Sequence, residues 1–179
     1  MRASDNDDGR PLAKYARQGM TQIAIVVEDL EKSVRSYRQL FGIEPWHFYT
    51  YKKPLLKFAS YHGKPVSYAM RIALSYFGPT RLELIQPLYG DSVYADFVKE
   101  HGYGVHHVGL LVPNMKEALQ EAQIAGLEMI MDGGGFGLDG DGHYAYLDTY
   151  SDLGVTIEFI ERPKRRVTPE KIFPEEYEE

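Results

Sequence analysis

Residues 104–112 read Gly-Val-His-His-Val-Gly-Leu-Leu-Val, a short and mostly apolar stretch entered through two adjacent histidines. Aliphatic residues bounded by Gly104 and Pro113 predict a strand. Successive side chains of a strand face opposite ways, so His106 and His107 are expected on opposite faces. Only one of them then shares the face of Gly109 and Leu111.

The stretch has a counterpart earlier in the chain. Laying TQIAIVV (residues 21–27) over HHVGLLV (residues 106–112) sets Gln22 against His107, an offset of 85 (107 minus 22). The segments after these strands match as well: Glu28-Asp29-Leu30 and a helical pattern ending at Gly42 parallel Pro113-Asn114-Met115 and a helical pattern ending at Gly126. Each half closes on an apolar strand with one carboxylate inside it, Leu82-Glu83-Leu84-Ile85 and Ile157-Glu158-Phe159-Ile160. A repeat identifies residues in equivalent places. Gln22 and His107 form one such pair, and Glu83 and Glu158 another.

The remaining elements are set by local chemistry. Asp29 caps a helix carrying Leu30, Val34, Tyr37 and Leu40 at helical spacing, and Asn114 with Glu117 opens its equivalent. Trp46–Tyr51, Val66–Tyr76 and Arg81–Gln86 read as strands in the first half; Glu128–Met131, Tyr144–Asp148 and Val155–Ile160 read as strands in the second. The run GGGFGLDGDG is expected to be a glycine-rich turn, and residues 52–65 a loop or irregular hairpin. The expected fold class is therefore α+β, two βαβββ modules related by an internal repeat. The boundaries are an N-terminal extension at 1–20 that docks through Leu12 and Tyr15, a first module at 21–90, and a helical linker at 91–103. A second module occupies 104–162, and a charged tail at 163–179 is solvated or draped on a partner.

Composition narrows the function classes. The 179 residues are 44% hydrophobic and 26% charged, enough for a real core. A net charge of −6 argues against nucleic acid as a partner, and no basic amphipathic helix points to a membrane surface. There is no cysteine, hence no disulfide and no thiolate ligand. No apolar signal-peptide run opens the chain, and no stretch of about 18 apolar residues could span a bilayer. A cytoplasmic location is expected.

A carboxylate within a Leu/Ile/Phe strand is costly to bury without compensation. If the two modules pack about a pseudo-twofold, equivalent positions converge, bringing the Gln22 amide, the His107 imidazole and the Glu83 and Glu158 carboxylates together. Three oxygen donors and one nitrogen suit a single divalent cation.

At these residues the chain resembles a known family. The openings QIAIVVEDLEKSVRSYRQLFGIEP and VHHVGLLVPNMKEALQEAQIAGLE, and the closings LELIQP and TIEFIERP, are similar to the vicinal oxygen chelate superfamily over about residues 21 to 162. The linker GDSVYADFVKEHGYGVHHVG resembles that of the methylmalonyl-CoA epimerase group within it. The resemblance implies curved mixed sheets around a metal site ligated by Gln22, Glu83, His107 and Glu158, with His106 an other-face neighbour. Epimerases usually carry histidine where Gln22 stands, and the Gln, Glu, His, Glu set is similar to that of eukaryotic glyoxalase I. The second carboxylate base of some epimerases has no counterpart, since no Asp or Glu occurs between Pro45 and Arg81, and Arg71 aligns nearby.

The implied activity is that of a metal-dependent isomerase or epimerase moving a proton next to a carbonyl through a metal-stabilised enolate or enediolate. Glu158, or else Glu83, is the catalytic base. The cofactor is one divalent metal ion, with Zn, Co, Ni, Mn and Mg undistinguished, and the substrate a small molecule with vicinal oxygens. Two alternatives are a glyoxalase I-type lactoylglutathione lyase and a non-catalytic sequestering protein. His143 and Tyr144 beside the glycine-rich turn, and Arg71, are the expected substrate contacts. Exposed module edges suit a homodimer.

Overall fold

The computed structural model describes residues 9–175; Asp5, Asp7, Asp8 and the acidic residues 176–179 lie outside the described residues. The first half runs β1 (Gln22–Val26), α2 (Leu30–Phe41), β2 (Trp46–Tyr51), a hairpin of β3 (Phe58–Tyr61) and β4 (Lys64–Pro65), β5 (Ala69–Phe77) and β6 (Thr80–Tyr89). A short helix, α3 (Val93–His101), leads into β7 (Gly104–Leu111), α4 (Met115–Ile124), β8 (Met129–Phe136), β9 (Gly142–Leu147) and β10 (Thr156–Glu161). The helix α1 (Ala13–Ala16) precedes these elements, α5 (Tyr150–Leu153) lies between β9 and β10, and β11 (Lys171–Phe173) comes last.

Capping sets both long helices. The Asp29 side chain accepts from the Lys32 backbone N–H at 2.9 Å, and Gly42, at φ 66°, ends α2 in the left-handed conformation that glycine adopts most readily. Asn114 accepts from Glu117 N–H at 3.1 Å at the start of α4.

All strands join one mixed sheet in the order β11-β2-β5-β6-β1-β7-β10-β9-β8-β3-β4, curled into a half-barrel. The halves meet where β1 pairs antiparallel with β7, and each central strand is flanked by its own parallel partner, β6 or β10. The repeat holds at the positions of the site. Gln22 faces Gly109 across the seam and its image, Ala24, faces His107; Glu83 pairs with Ala24, as Glu158 does with Gly109. One face of the curl packs against α2, through Leu30, Val34, Trp46, Phe48 and Ala73, and against α4, through Met115, Ala118, Ala145 and Phe159. The other face carries Ala24, Val26, Ile72, Tyr144 and Tyr146, and with them the site.

Two segments differ from the reading of the sequence, and between them a third takes the hairpin form, one of its two expected alternatives. The glycine run is not a turn at its start: β8 continues through Phe136. Gly133 and Gly134 lie under the Tyr144 and Phe58 rings, with which an added Cβ would collide. They are glycines because a ring crosses the strand, and only residues 137–141 turn. The irregular stretch after β2 forms the β3–β4 hairpin, which pairs with β8 and so binds the first module's insertion to the second module's edge. Finally, the C-terminal segment is not simply solvated. Residues 171–173 pair with β2 as an edge strand, and Glu170 bonds Thr50 through backbone N–H (3.0 Å) and Oγ1 (2.9 Å).

The N-terminal extension docks: Tyr15 is buried against Phe159, and its hydroxyl donates to Glu121 at 2.7 Å. Among the described residues, no helix is long and apolar enough to cross a membrane.

Candidate metal centre and cavity

Alternation on four central strands puts Gln22, Glu83, His107 and Glu158 on the same face, all at least nine-tenths buried. Glu83, His107 and Glu158 each present one ligand atom, mutually within 4.8 Å. His107 Nε2 lies 3.2 Å from Glu158 Oε2 and 3.5 Å from Glu83 Oε2. Burial alone would lower the His107 pKa, but the Glu158 and Glu83 carboxylates outweigh it and push the imidazole up to about 9. Two buried acids beside one imidazole are a strongly cation-seeking set, and these three residues fit a divalent ion.

Gln22 stands with them but turned the other way. Its Nε2 donates to Glu83 Oε2 at 2.6 Å and to Glu158 Oε2 at 3.1 Å, while its Oε1 accepts from Arg81 Nε at 2.5 Å. Guanidinium only donates, so Arg81 fixes which end of the amide is oxygen. Gln22 offers its oxygen to a cation only by turning the amide over, which takes the acceptor from Arg81.

His106 is not on the far face, contrary to strict alternation. Ala24 pairs with His107 and Ile25 with Val105, so His106 is the extra residue of a β-bulge. The bulge brings both rings inside: His106 is 2% exposed, and its Nδ1 lies 2.8 Å from His107 Nδ1. One of these nitrogens must donate and the other accept. The His106 ring also bonds the Val93 backbone, while burial and the neighbouring His107 hold its pKa well below the usual histidine value. A neutral His106 donating to the Val93 carbonyl has a lone pair left on Nδ1 for the His107 Nδ1–H. That fixes the tautomer in which His107 Nε2 is free to ligate, the function usually served by a carboxylate or carbonyl behind a metal-bound histidine.

Gln22, Glu83 and Glu158 form the floor of a small cavity of about 60 Å³, walled by Tyr49, Tyr51, Met70, Leu74, Phe136 and Tyr144, with the fully buried His107 against the two carboxylates. The Tyr144 hydroxyl is buried with no protein partner. An unsatisfied hydroxyl costs about 1–3 kcal/mol, and this one lies over the Gly133 backbone.

The other two expected substrate contacts are elsewhere. Arg71 alternates away from Met70 and Ile72, pairs with Glu31 at 3.1 Å and lies over the Phe48 ring. His143 alternates away from Tyr144 and contacts Asp132 at 2.9 Å and the Phe58 edge.

Reading the sequence missed Arg81, Arg162 and Arg166, which all line the cavity. Period-two counting from Glu83 and from Glu158 would have found the first two. Nothing local marks Arg166.

Comparison with known proteins agrees with this architecture. The chain matches the model of the glyoxalase/bleomycin resistance protein/dioxygenase superfamily over residues 21–146. It is 28% identical to mitochondrial methylmalonyl-CoA epimerase of Bos taurus over 106 residues, 57% of this chain and 51% of that protein, so it spans about half the length of that relative. The Mus musculus protein of the same name is 28% identical over 138 residues, covering 76% of this chain and 68% of that protein. Among solved structures, methylmalonyl-CoA epimerase from Mycobacterium tuberculosis shares the fold with a TM-score of 0.59 at 20% identity, covering 82% of this chain and 89% of that one. A hypothetical protein from Bacillus halodurans C-125 has a TM-score of 0.60 at 23% identity, covering 83% and 97%. By sequence match and by architecture, the chain belongs to the glyoxalase/bleomycin resistance protein/dioxygenase superfamily.

Proposed function

We propose that this protein is a metal-dependent isomerase or epimerase that moves a proton on the carbon next to a carbonyl. The observation that carries the proposal is the buried Glu83, His107 and Glu158 cluster, whose two carboxylates line the floor of a cavity. Glu83, His107 and Glu158 would hold one divalent ion, with Gln22 joining them when its amide turns. Such an ion supplies Lewis-acid polarisation of paired substrate oxygens.

The chain's own residues would do the rest. The proton carrier must be a carboxylate that can leave the cluster. The Gln22 contacts support Glu158 as that base, since Gln22 holds it at 3.1 Å and Glu83 at 2.6 Å, while His107 lies nearer Glu158 (3.2 Å) than Glu83 (3.5 Å). The aromatic walls, the Tyr144 ring among them, would exclude water from the exchanging proton. Relatives named methylmalonyl-CoA epimerase support the reaction class.

A second reading, a glyoxalase I-type lyase acting on a thiol hemithioacetal, is favoured by glutamine rather than histidine at position 22. Assaying methylmalonyl-CoA against methylglyoxal with glutathione separates the two. Glu158→Gln, with metal retained, should abolish exchange of the substrate α-proton with deuterated solvent; undiminished exchange removes Glu158 as the base.

A further inference from the structure

The mouth of the cavity is crossed by the C-terminal segment, which runs from the end of β10 on the second module to β2 on the first. It is fastened along its length. The Leu138 N–H donates to Arg165 O at 2.9 Å, the Arg165 guanidinium grips the Asp139 carboxylate with two nitrogens, and Glu170 N–H donates to Phe48 O at 2.9 Å. Gly137 has no Cβ because Pro163 lies where one would be. The strap thus holds Arg166 at the cavity, beside Arg162 from the end of β10 and Arg81 from β6.

Three guanidinium groups therefore face one cavity in a chain of net charge −6. Among the described residues none of the three is ion-paired with a carboxylate. Arg81 donates to the Gln22 amide oxygen, and Arg166 lies beside the Tyr49 hydroxyl. The Glu83 and Glu158 carboxylates lie at the floor of the same cavity but pair with none of the three, and burial together with Arg81 and Arg166 disfavours the charged form of Arg162. An anion entering the mouth relieves the repulsion among the three guanidinium groups, and the planar fork of a guanidinium matches a carboxylate with two parallel hydrogen bonds.

We propose that Arg162 and Arg166, with Arg81 beside them, form a carboxylate-binding subsite, so that the molecule acted on is a small organic acid. Its carboxylate sits at the strap, and its paired oxygens reach the floor at Glu83 and Glu158. The second half of this statement rests on the functional reading above; the subsite itself does not. The carboxylate could belong to a free acid or to an acyl thioester, and the test separates these sources.

Arg162 and Arg166 are exposed, so replacing them leaves the core intact. Calorimetric titration of the metal-free protein with malonate, its uncharged diamide malonamide, inorganic phosphate and coenzyme A is compared with the Arg162→Ala/Arg166→Ala double variant. Malonate should bind the wild type and lose about tenfold or more in affinity in the double variant, as expected for charge-assisted bonds, with malonamide binding weakly to both. Binding of malonate unchanged by the double substitution overturns the subsite, as does malonamide binding as tightly as malonate. Arginine-dependent binding of phosphate or coenzyme A in preference to malonate also overturns it, by moving the recognised group from carboxylate to phosphate. Tighter arginine-dependent binding of malonyl-CoA than of malonate and coenzyme A separately upholds the subsite and assigns the thioester as source. Zinc titration of the same proteins reads the floor independently. If wild type takes up no zinc, the functional reading fails while arginine-dependent malonate binding still upholds the subsite.

Discussion

Gly109 lies on the seam between the two halves, directly beneath the candidate metal centre, and adding one methyl group there tests how tightly the floor is packed. A Cβ at this position would meet Ile160 Cδ1 at 2.6 Å, Gln22 Cβ at 3.0 Å and Glu158 Oε2 at 3.2 Å. The Ile160 methyl is the end of a flexible side chain and can swing aside. Gln22 cannot retreat, because its amide is bonded to Arg81 and both carboxylates. The carboxylate of Glu158 must therefore give by a few tenths of an ångström. Overpacking of this kind costs about 1–3 kcal/mol, which in a chain of this length lowers Tm by roughly 2–4 °C per kcal/mol. At the repeat-equivalent place the chain already carries Ala24, fully buried opposite His107, so an alanine is compatible with the strand itself. Gly109→Ala should thus fold, melt several degrees lower in chelator, and bind zinc about tenfold more weakly, the order seen when groups that orient a ligand are disturbed. Thermal unfolding followed by circular dichroism and zinc competition against a chromogenic chelator measure the two effects. Unchanged melting and unchanged zinc affinity together would refute the account of a floor in which Gln22, Gly109 and Glu158 are in contact.

Other side chains carry expectations of their own. Tyr144→Phe removes a hydroxyl that has no protein partner, so urea unfolding should show no loss of stability or a gain of up to about 1 kcal/mol; a loss would show the hydroxyl to be satisfied. His106→Leu takes away the acceptor for His107 Nδ1 and should weaken zinc binding by about 10- to 100-fold, whereas His106→Asn, retaining an acceptor, should recover part of that loss; equal losses in both variants would disprove the tautomer role. Asp132 is held below the usual aspartate value: burial opposes this, but His143 and Ser60 outweigh it. Its contribution is therefore present above the unfolded-state pKa and lost as pH falls through the lower folded-state value. Asp132→Asn should cost about 1 kcal/mol at pH 7 and progressively less as pH falls below the usual aspartate range, as read by urea midpoints along an acid series.

Much of the fold was legible because its signals are local. Alternation along the strands placed Glu83 and Glu158 on matching faces, helix caps at Asp29 and Asn114 are contacts over three residues, and the repeat aligned Gln22 with His107 without reference to space. The missed features share one cause. The bulge at His106 exists because β7 is read against β1, about 80 residues away in the chain, and no pattern within 104–112 records it. The direction of the Gln22 amide depends on Arg81, a residue from another strand. Gly133 and Gly134 resemble turn glycines until Tyr144 and Phe58 are seen lying across them.

What the sequence by itself determined was the repeat, the order of elements within each module and the four polar positions that share a face, since the period of a strand and the chemistry of a cap are properties of neighbouring residues. Only the tertiary structure decided that both histidines turn inward, that the amide oxygen is held by Arg81, and that the C-terminal segment straps the cavity and carries Arg166 to its mouth. Those outcomes depend on contacts between chain segments far apart in sequence, and such contacts leave no periodic trace in either partner alone.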